Sequence, residues 1–155
     1  MKDVMKDYNK GVEMLEAGAV DLAIRKFEEV LQFSPEHTGS YIHIGLAYHI
    51  KGLVVEAIRA YRRVLELEPE NDAAHFHLGN AYGKIGEYGK ARDCFLQAIK
   101  IDPKNPYYHL GAASAWEKMG NQEEAVKSYK LAAELGLDPG YQESVQSRIF
   151  ELGTL

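Results

Sequence analysis

Apolar and small residues recur along the chain at an interval of 34 residues. In the second half of each interval, an alanine, an aromatic residue and a small apolar residue are spaced i, i+4 and i+7. That spacing places the three side chains on one face of an α-helix. The four sets are Ala23, Phe27 and Val30; Ala57, Tyr61 and Val64; Ala91, Phe95 and Ala98; and Ala125, Tyr129 and Ala132. The pattern predicts four helices that each bury one stripe.

Glycines recur at two places in the first half of each interval. Those near the end of that half suit a helix stop, where the backbone adopts a positive φ; they are Gly18, Gly52, Gly86 and Gly120. Those inside the helix cost about 1 kcal/mol relative to alanine, so we expect a close neighbour, the recurring alanine of the second helix; they are Gly11, Gly45 and Gly79. Prolines then stop the second helix, at Pro35, Pro69 and Pro103. In one interval this predicts helices over 72–86 and 87–101.

These glycine, alanine, aromatic and proline positions resemble the tetratricopeptide repeat (TPR) family, whose unit is a helix-turn-helix of 34 residues. The resemblance implies an all-α fold, a right-handed superhelical solenoid of four TPR units with a C-terminal capping helix. The units would be 4–37, 38–71, 72–105 and a divergent 106–139, with the cap at 139–152. Positions within a unit are counted below from residues 4, 38, 72 and 106.

The two ends of the array depart from the repeat pattern. In the first unit, Asp7 and Lys10 are polar where later units are mostly apolar, as expected if no helix packs in front of them. At the other end, four residues share one face of the last helix and should cover the fourth unit: Tyr141, Val145, Ile149 and Leu152. We therefore expect a complete array with its cap.

Charge and composition narrow the function classes. The chain has 155 residues and a formal net charge of −5, which disfavours a nucleic-acid partner. The longest apolar stretch, 41–50, is too short to insert across a membrane. The N-terminus lacks the apolar segment of a signal peptide, and the single cysteine, Cys94, excludes an internal disulfide. We expect a soluble, cytoplasmic protein.

The predicted binding surface lies on the first helix of each unit. Positions 2, 5, 9, 12 and 13 face away from the packed side of that helix, and the TPR resemblance implies that this face lines a concave, peptide-binding groove. The candidate groove residues are Tyr8, Val12, Ile42, Leu46, His49, Phe76, Asn80, Lys84, Leu110 and Ser114. Position 5 is apolar in all four units, which indicates either an exposed binding stripe or packing against the neighbouring repeat. Both interpretations stay open for Ile42 and Phe76.

One well-known TPR subfamily, the co-chaperone type, grips a C-terminal carboxylate with Lys and Asn at positions 5 and 9 of its first repeat. This chain has Tyr8 and Val12 at those positions, so that clamp is absent. An apolar or helical peptide fits the candidate groove better.

The histidines and the single cysteine provide little support for a metal site or for catalysis. His75 and His77 lie two residues apart and face different sides of a helix, with no further ligand to complete a metal site. We expect His75 and His109 to fill an interface slot, and His43 and His77 to lie at the groove rim, where they would make partner binding pH-sensitive. Cys94 has no nearby histidine to activate it. We predict no catalytic residues, no metal, no cofactor and no enzyme activity.

The second helix of unit 2 carries Arg59, Arg62 and Arg63 on its outer side. They form either a basic docking patch or a set of ion pairs that includes Arg62 with Glu66.

The sequence therefore favours a non-enzymatic scaffold or adaptor that binds a protein or peptide partner in its groove. The alternative is a structural scaffold that uses the same repeats to form a homo-oligomer.

Overall fold

The computed structural model describes residues 3–153, and this part of the chain contains nine α-helices and no β-strand. The helices are α1 (Val4–Glu16), α2 (Val20–Phe33), α3 (Thr38–Ile50), α4 (Val54–Leu67), α5 (Asp72–Lys84), α6 (Tyr88–Ile101), α7 (Pro106–Lys118), α8 (Gln122–Leu135) and α9 (Pro139–Gly153). Two helices lie within each predicted repeat, and α9 lies where the cap was expected. The repeat boundaries themselves stay a prediction.

Glycines with positive φ make the turn inside each helix pair. Gly18, Gly52, Gly86 and Gly120 have φ between 76° and 80°. An L-residue with a side chain rarely adopts this conformation, so glycine ends α1, α3, α5 and α7 at the same place in each pair. This part of the sequence prediction is confirmed.

Asparagine side chains cap the helices that follow. The Oδ1 atom of Asn71 accepts a hydrogen bond from the backbone N–H of Ala74 at 2.9 Å. Asn105 accepts one from the N–H of Tyr107 at 3.0 Å, and Pro106 is the first residue of α7. Because Pro has no N–H, its place in the first turn costs no helical hydrogen bond.

The described chain divides into two compact units, residues 3–77 and residues 78–153, and the division falls within α5. In the first unit, α1 packs against α2 and α3, α2 packs against α3, and α3 packs against α4. One core cluster of this unit consists of Ala23, Phe27, Ile44 and Ala60.

In the second unit, α7 packs against α6 and α8, and α8 packs against α9. A core cluster there consists of Ala113, Ala125, Tyr129 and Val145, with Ile149 and Leu152 packed against it. Helix α9 therefore covers apolar side chains of α7 and α8, as expected of a cap. Tyr141 departs from the predicted face: its side chain is exposed, and its ring makes an edge contact with that of Tyr107 at 5.8 Å.

Candidate functional site

The recurring aromatic residue of the second helix occupies the gap that the in-helix glycine leaves. A Cβ atom built on Gly11 would lie 2.6 Å from Cε1 of Phe27, and one on Gly79 would lie 2.8 Å from Cε1 of Phe95. Gly45 faces the ring of Tyr61 in the same way. The second helix therefore approaches the glycine closely, as expected, but the nearest atoms belong to its aromatic residue rather than to its alanine.

The other side of each ring meets position 6 of the next repeat. The ring centroid of His43 lies 5.3 Å from that of Phe27, and His77 stacks on Tyr61 at 5.5 Å with an interplanar angle of 21°. In the fourth repeat, position 6 is Gly111, and a Cβ there would lie 2.6 Å from Cε1 of Phe95. These two histidines therefore pack between helix pairs rather than at the rim that the sequence suggested.

His43 also makes polar contacts across α1 and α3. Its Nδ1 atom lies 2.9 Å from the carbonyl oxygen of Gly39 and 3.1 Å from the hydroxyl of Tyr8. Since a carbonyl oxygen only accepts, the contact with Gly39 requires a proton on Nδ1. Tyr8, the position-5 residue of the first repeat, thus packs against the neighbouring repeat, and its ring also contacts Phe27 and His37.

Burial, together with smaller contributions from the nearby His49 and His43, lowers the pKa of His77 from 6.5 to about 4. A buried imidazole loses hydration when it is charged, and neighbouring positive charge opposes protonation. His77 is therefore neutral at pH 7. Its stacking partner Tyr61 is fully buried, and the Tyr61 hydroxyl has no hydrogen-bond partner among the described residues.

The candidate groove residues of the first unit are all half-buried, with none fully exposed and none fully buried. Tyr8 and Val12 pack against the core cluster of that unit. The remaining four are Ile42, Leu46, His49 and Phe76. Each of these residues divides its surface between packing and solvent, and their role in binding stays a prediction.

The candidate residues of the second unit are more polar and more accessible. Lys84 and Ser114 are exposed, whereas Asn80 and Leu110 are half-buried. Leu110 packs against the core cluster of α7, α8 and α9. The structure brings Asn80 and Ser114 together at one cavity of about 250 Å³.

Helices α5, α6 and α7 form this cavity, which we call the α5–α7 cavity. Apolar residues of its lining are Ala91, Phe95 and Ala115, and Gly79, Gly83 and Gly111 add no side chains. Its polar lining residues are Asn80, Tyr88, Ser114 and Lys118. Lys118 is position 13 of the fourth unit and lies on the predicted face, whereas Gly111 was not predicted. Gly111 was detectable as the glycine that replaces histidine at position 6, whereas the convergence of three helices was not.

A polar network holds the cap helix α9 against α7. The Nε atom of Arg148 donates to both carboxylate oxygens of Glu117 at 3.0 Å, and the hydroxyl of Tyr129 donates to Glu117 at 2.8 Å. The hydrogen bond from Arg148 lowers the pKa of the Glu117 carboxyl below its ordinary value, and the bond from Tyr129 adds to this. At the start of α9, the hydroxyl of Tyr107 donates to the Asp138 carboxylate.

Two further histidines bind backbone. The Nε2 atom of His75 lies 2.9 Å from the carbonyl oxygen of Pro69, and that of His109 lies 2.8 Å from the carbonyl oxygen of Pro103. Each ring nitrogen therefore donates to the turn that precedes its helix. Residues 3–153 contain no cluster of three metal-ligating side chains.

The remaining candidate side chains are Cys94 and the arginines of α4. Burial raises the pKa of the Cys94 thiol to about 11, with a smaller contribution from Asp93, so the thiolate is disfavoured at neutral pH. On α4, Glu66 pairs with Arg63 at 2.8 Å rather than with the expected Arg62.

Within the described chain, no helix combines the length and apolar character that crossing a bilayer requires.

Family models and solved structures place the chain among known proteins. A model described as TPR repeat matches residues 45–86, and one described as Tetratricopeptide repeat matches residues 73–105. A solved structure described as MamA AMB-1 is 30% identical, covers 86% of this chain and 79% of that chain, and superposes with a TM-score of 0.72. The chain belongs to the tetratricopeptide repeat family. The prediction of an all-α fold of TPR helix pairs is thereby confirmed.

Two other MamA structures extend the likeness in fold. The one described as MamA RS-1 ArsTM double mutant has a TM-score of 0.81 at 19% identity and covers 99% of this chain and 97% of that chain. The one described as Crystal structure of MamA has a TM-score of 0.77 at 20% identity, with 93% and 92% covered. No curated protein matches the sequence. As a TPR protein, the chain is a protein-interaction scaffold in general terms.

Proposed function

We propose that this TPR protein is a non-enzymatic adaptor that binds a short apolar or helical peptide segment on the predicted groove face of its first helices. Each unit contributes its own part of that face. The observation that supports the proposal best is the α5–α7 cavity, because it lies at Asn80 and Ser114, two residues of the predicted face. Well-packed repeats have no structural need for such a cavity, whereas binding surfaces commonly have one.

The side chains on the predicted groove face suit the binding of a peptide. In the first unit it consists of half-buried apolar side chains such as Leu46, with Ile50 exposed one turn later. In the second unit it carries the amide of Asn80 and the hydroxyl of Ser114, which can hydrogen-bond a peptide backbone. Apolar anchoring combined with a few polar contacts is typical of peptide recognition.

The test is affinity capture with the full chain as bait, comparing wild type with Leu46→Asp, Ser114→Lys and the double variant. The matched control changes the second helices instead, with Leu22→Asp in α2 and Gln97→Lys in α6; both residues are exposed. We expect a partner that wild type and control retain and the double variant loses. All variants should first show wild-type helicity by circular dichroism. Retention of the same partners by all variants would contradict the proposal.

A self-assembling scaffold is the second candidate. The observation that favours it is the outer face of α9, where Phe150 is 73% exposed, since a large exposed apolar residue on a terminal helix suits contact with another copy. Light scattering over a range of concentrations measures this directly. A mass that rises with concentration in wild type, and not in Phe150→Glu, would place self-assembly first.

A further inference from the structure

The ring of Phe95 forms part of the apolar floor of the α5–α7 cavity. Phe95 is 3% exposed and packs directly against Gly79 and Gly111. Gly83 differs from both of these glycines, since a Cβ built on it would meet nothing within 4 Å. The open space of the cavity therefore adjoins Gly83, and the backbone there needs no glycine for a positive φ.

The size of the cavity limits its occupant to about one side chain. A dry cavity of about 150 Å³ binds benzene, and pockets for drug-sized ligands begin at about 300 Å³. The volume of the α5–α7 cavity, about 250 Å³, lies between these two volumes. An aromatic ring or a branched aliphatic side chain matches both this volume and the apolar floor.

Positive charge lies next to this apolar floor. Lys118 lines the cavity, and Lys84 follows Gly83 on α5. Within residues 3–153, neither lysine forms a hydrogen bond or salt bridge, and no acidic side chain lines the cavity. The nearest acidic residue in sequence, Glu117, accepts hydrogen bonds from Arg148 and Tyr129, and the charge of Lys118 is a smaller influence that lowers the pKa of Glu117. Positive charge on Lys118 at the cavity and on Lys84 next to Gly83 favours a carboxylate beside the apolar anchor.

We propose that the α5–α7 cavity holds one aromatic or branched aliphatic side chain of a peptide whose flanking residues are acidic and contact Lys84 and Lys118. This inference rests on the proposed peptide-binding function and specifies the peptide for one part of the face. Asn80 and Ser114 would hydrogen-bond the peptide backbone beside the anchor. The lysines would set the charge of the partner and would make its binding salt-dependent.

The test uses fluorescein-labelled synthetic peptides and measures their binding to the full chain by fluorescence anisotropy. The first peptide has one Phe between two Glu pairs, the second has Ala in place of Phe, and the third has Lys in place of every Glu. We expect the first to bind at least tenfold more tightly than the other two, and to bind at least tenfold more weakly in 0.5 M salt than in 0.05 M salt. Absence of binding by the first peptide, or equal binding of all three, would overturn the inference.

A cavity-filling variant and a matched control test whether the peptide binds in the cavity. Gly83→Leu fills the cavity and also favours the helix, and we expect at least a tenfold loss of affinity. Gly89→Leu is the matched control, because Gly89 also lies in a helix with nothing within 4 Å of a built Cβ and does not line the cavity. If Gly83→Leu lost helicity, Ser114→Phe would fill the same space from α7. Equal affinity of wild type and the cavity-filling variant would refute the location.

The outcome separates this inference from the function on which it rests. If capture of a partner depends on Ser114 but the acidic Phe peptide does not bind, the adaptor function stands and the inference is wrong. If the peptide binds in the cavity but capture is unchanged by the groove variants, the cavity binds peptide and the wider groove proposal fails.

Discussion

Lowering the pH from 7 to 5 should destabilise the protein through the stacked pair of His77 and Tyr61. The pKa of His77 is lowered to about 4 by burial and by the nearby His49 and His43, whereas an unfolded histidine titrates near 6.5. Between these two values the unfolded chain binds a proton that the folded chain excludes. The contribution of His77 to the free energy of unfolding is therefore fully present above about pH 6.5 and is lost as the pH decreases toward 4.

The size of the effect follows from the two pKa values. Each pKa unit corresponds to about 1.36 kcal/mol, so the full difference between 6.5 and about 4 corresponds to about 3 kcal/mol. At pH 5 the protein has lost about two-thirds of this contribution, which corresponds to about 2 kcal/mol of unfolding free energy. That loss is large against the 5–15 kcal/mol stability of a typical domain.

The assay is urea unfolding followed by circular dichroism at pH 7 and pH 5, for wild type and His77→Phe. Phenylalanine keeps a ring on Tyr61 and on Phe76, which His77 also contacts, and it cannot be protonated. We expect wild type to lose about 2 kcal/mol more than the variant between the two pH values. If phenylalanine disturbs the packing at pH 7, His77→Gln serves as a second variant that cannot be protonated.

Tyr61→Phe is the control for this experiment. It removes a buried hydroxyl that has no hydrogen-bond partner among the described residues and leaves the ring that stacks on His77. We expect it to be as stable as wild type or about 1 kcal/mol more stable, with the pH dependence of wild type. The reasoning would be refuted if wild type and His77→Phe lost equal stability between pH 7 and pH 5.

Two further predictions concern packing and the cap helix. Gly79→Ala should destabilise by about 1–2 kcal/mol in thermal or urea unfolding, since its Cβ would lie 2.8 Å from Phe95 Cε1. Gly83→Ala, one turn along the same helix with nothing within 4 Å, should stabilise by up to about 1 kcal/mol; equal effects of the two changes would contradict this packing. Glu117→Gln should destabilise by about 1 kcal/mol at pH 7, at the low end for a charged hydrogen bond because Arg148 is partly exposed to solvent. Since Arg148 lowers the pKa of Glu117, this difference should shrink as the pH falls below the ordinary glutamate value, and a difference that grows at acid pH would contradict the pairing.

The helices of the chain follow from local signals in the sequence. The periodic stripe of Ala91, Phe95 and Ala98, the positive φ of Gly86 and the cap at Asn71 each depend on a few neighbouring residues. Such signals need no knowledge of distant contacts, so the sequence predicts where helices begin and end.

The partner of each side chain was harder to predict. Sequence periodicity showed that Gly79 needs a close neighbour but selected the alanine rather than Phe95, because a helical pattern gives the direction of a side chain and not its reach. It also placed His77 at a rim, whereas the structure stacks it on Tyr61. In both cases the deciding contact joins different helices.

The sequence by itself therefore determined the repeat length, the helix pairs and the TPR family, because these depend on the order of residue types at fixed spacing. Only the tertiary structure decided how far each groove residue is buried, and how Phe95 packs against Gly79 and Gly111 while a cavity stays open beside Gly83. The reason is geometric: a cavity is space left between side chains of three helices, and residues that lie 32 positions apart, such as Gly79 and Gly111, carry no sequence mark of their meeting.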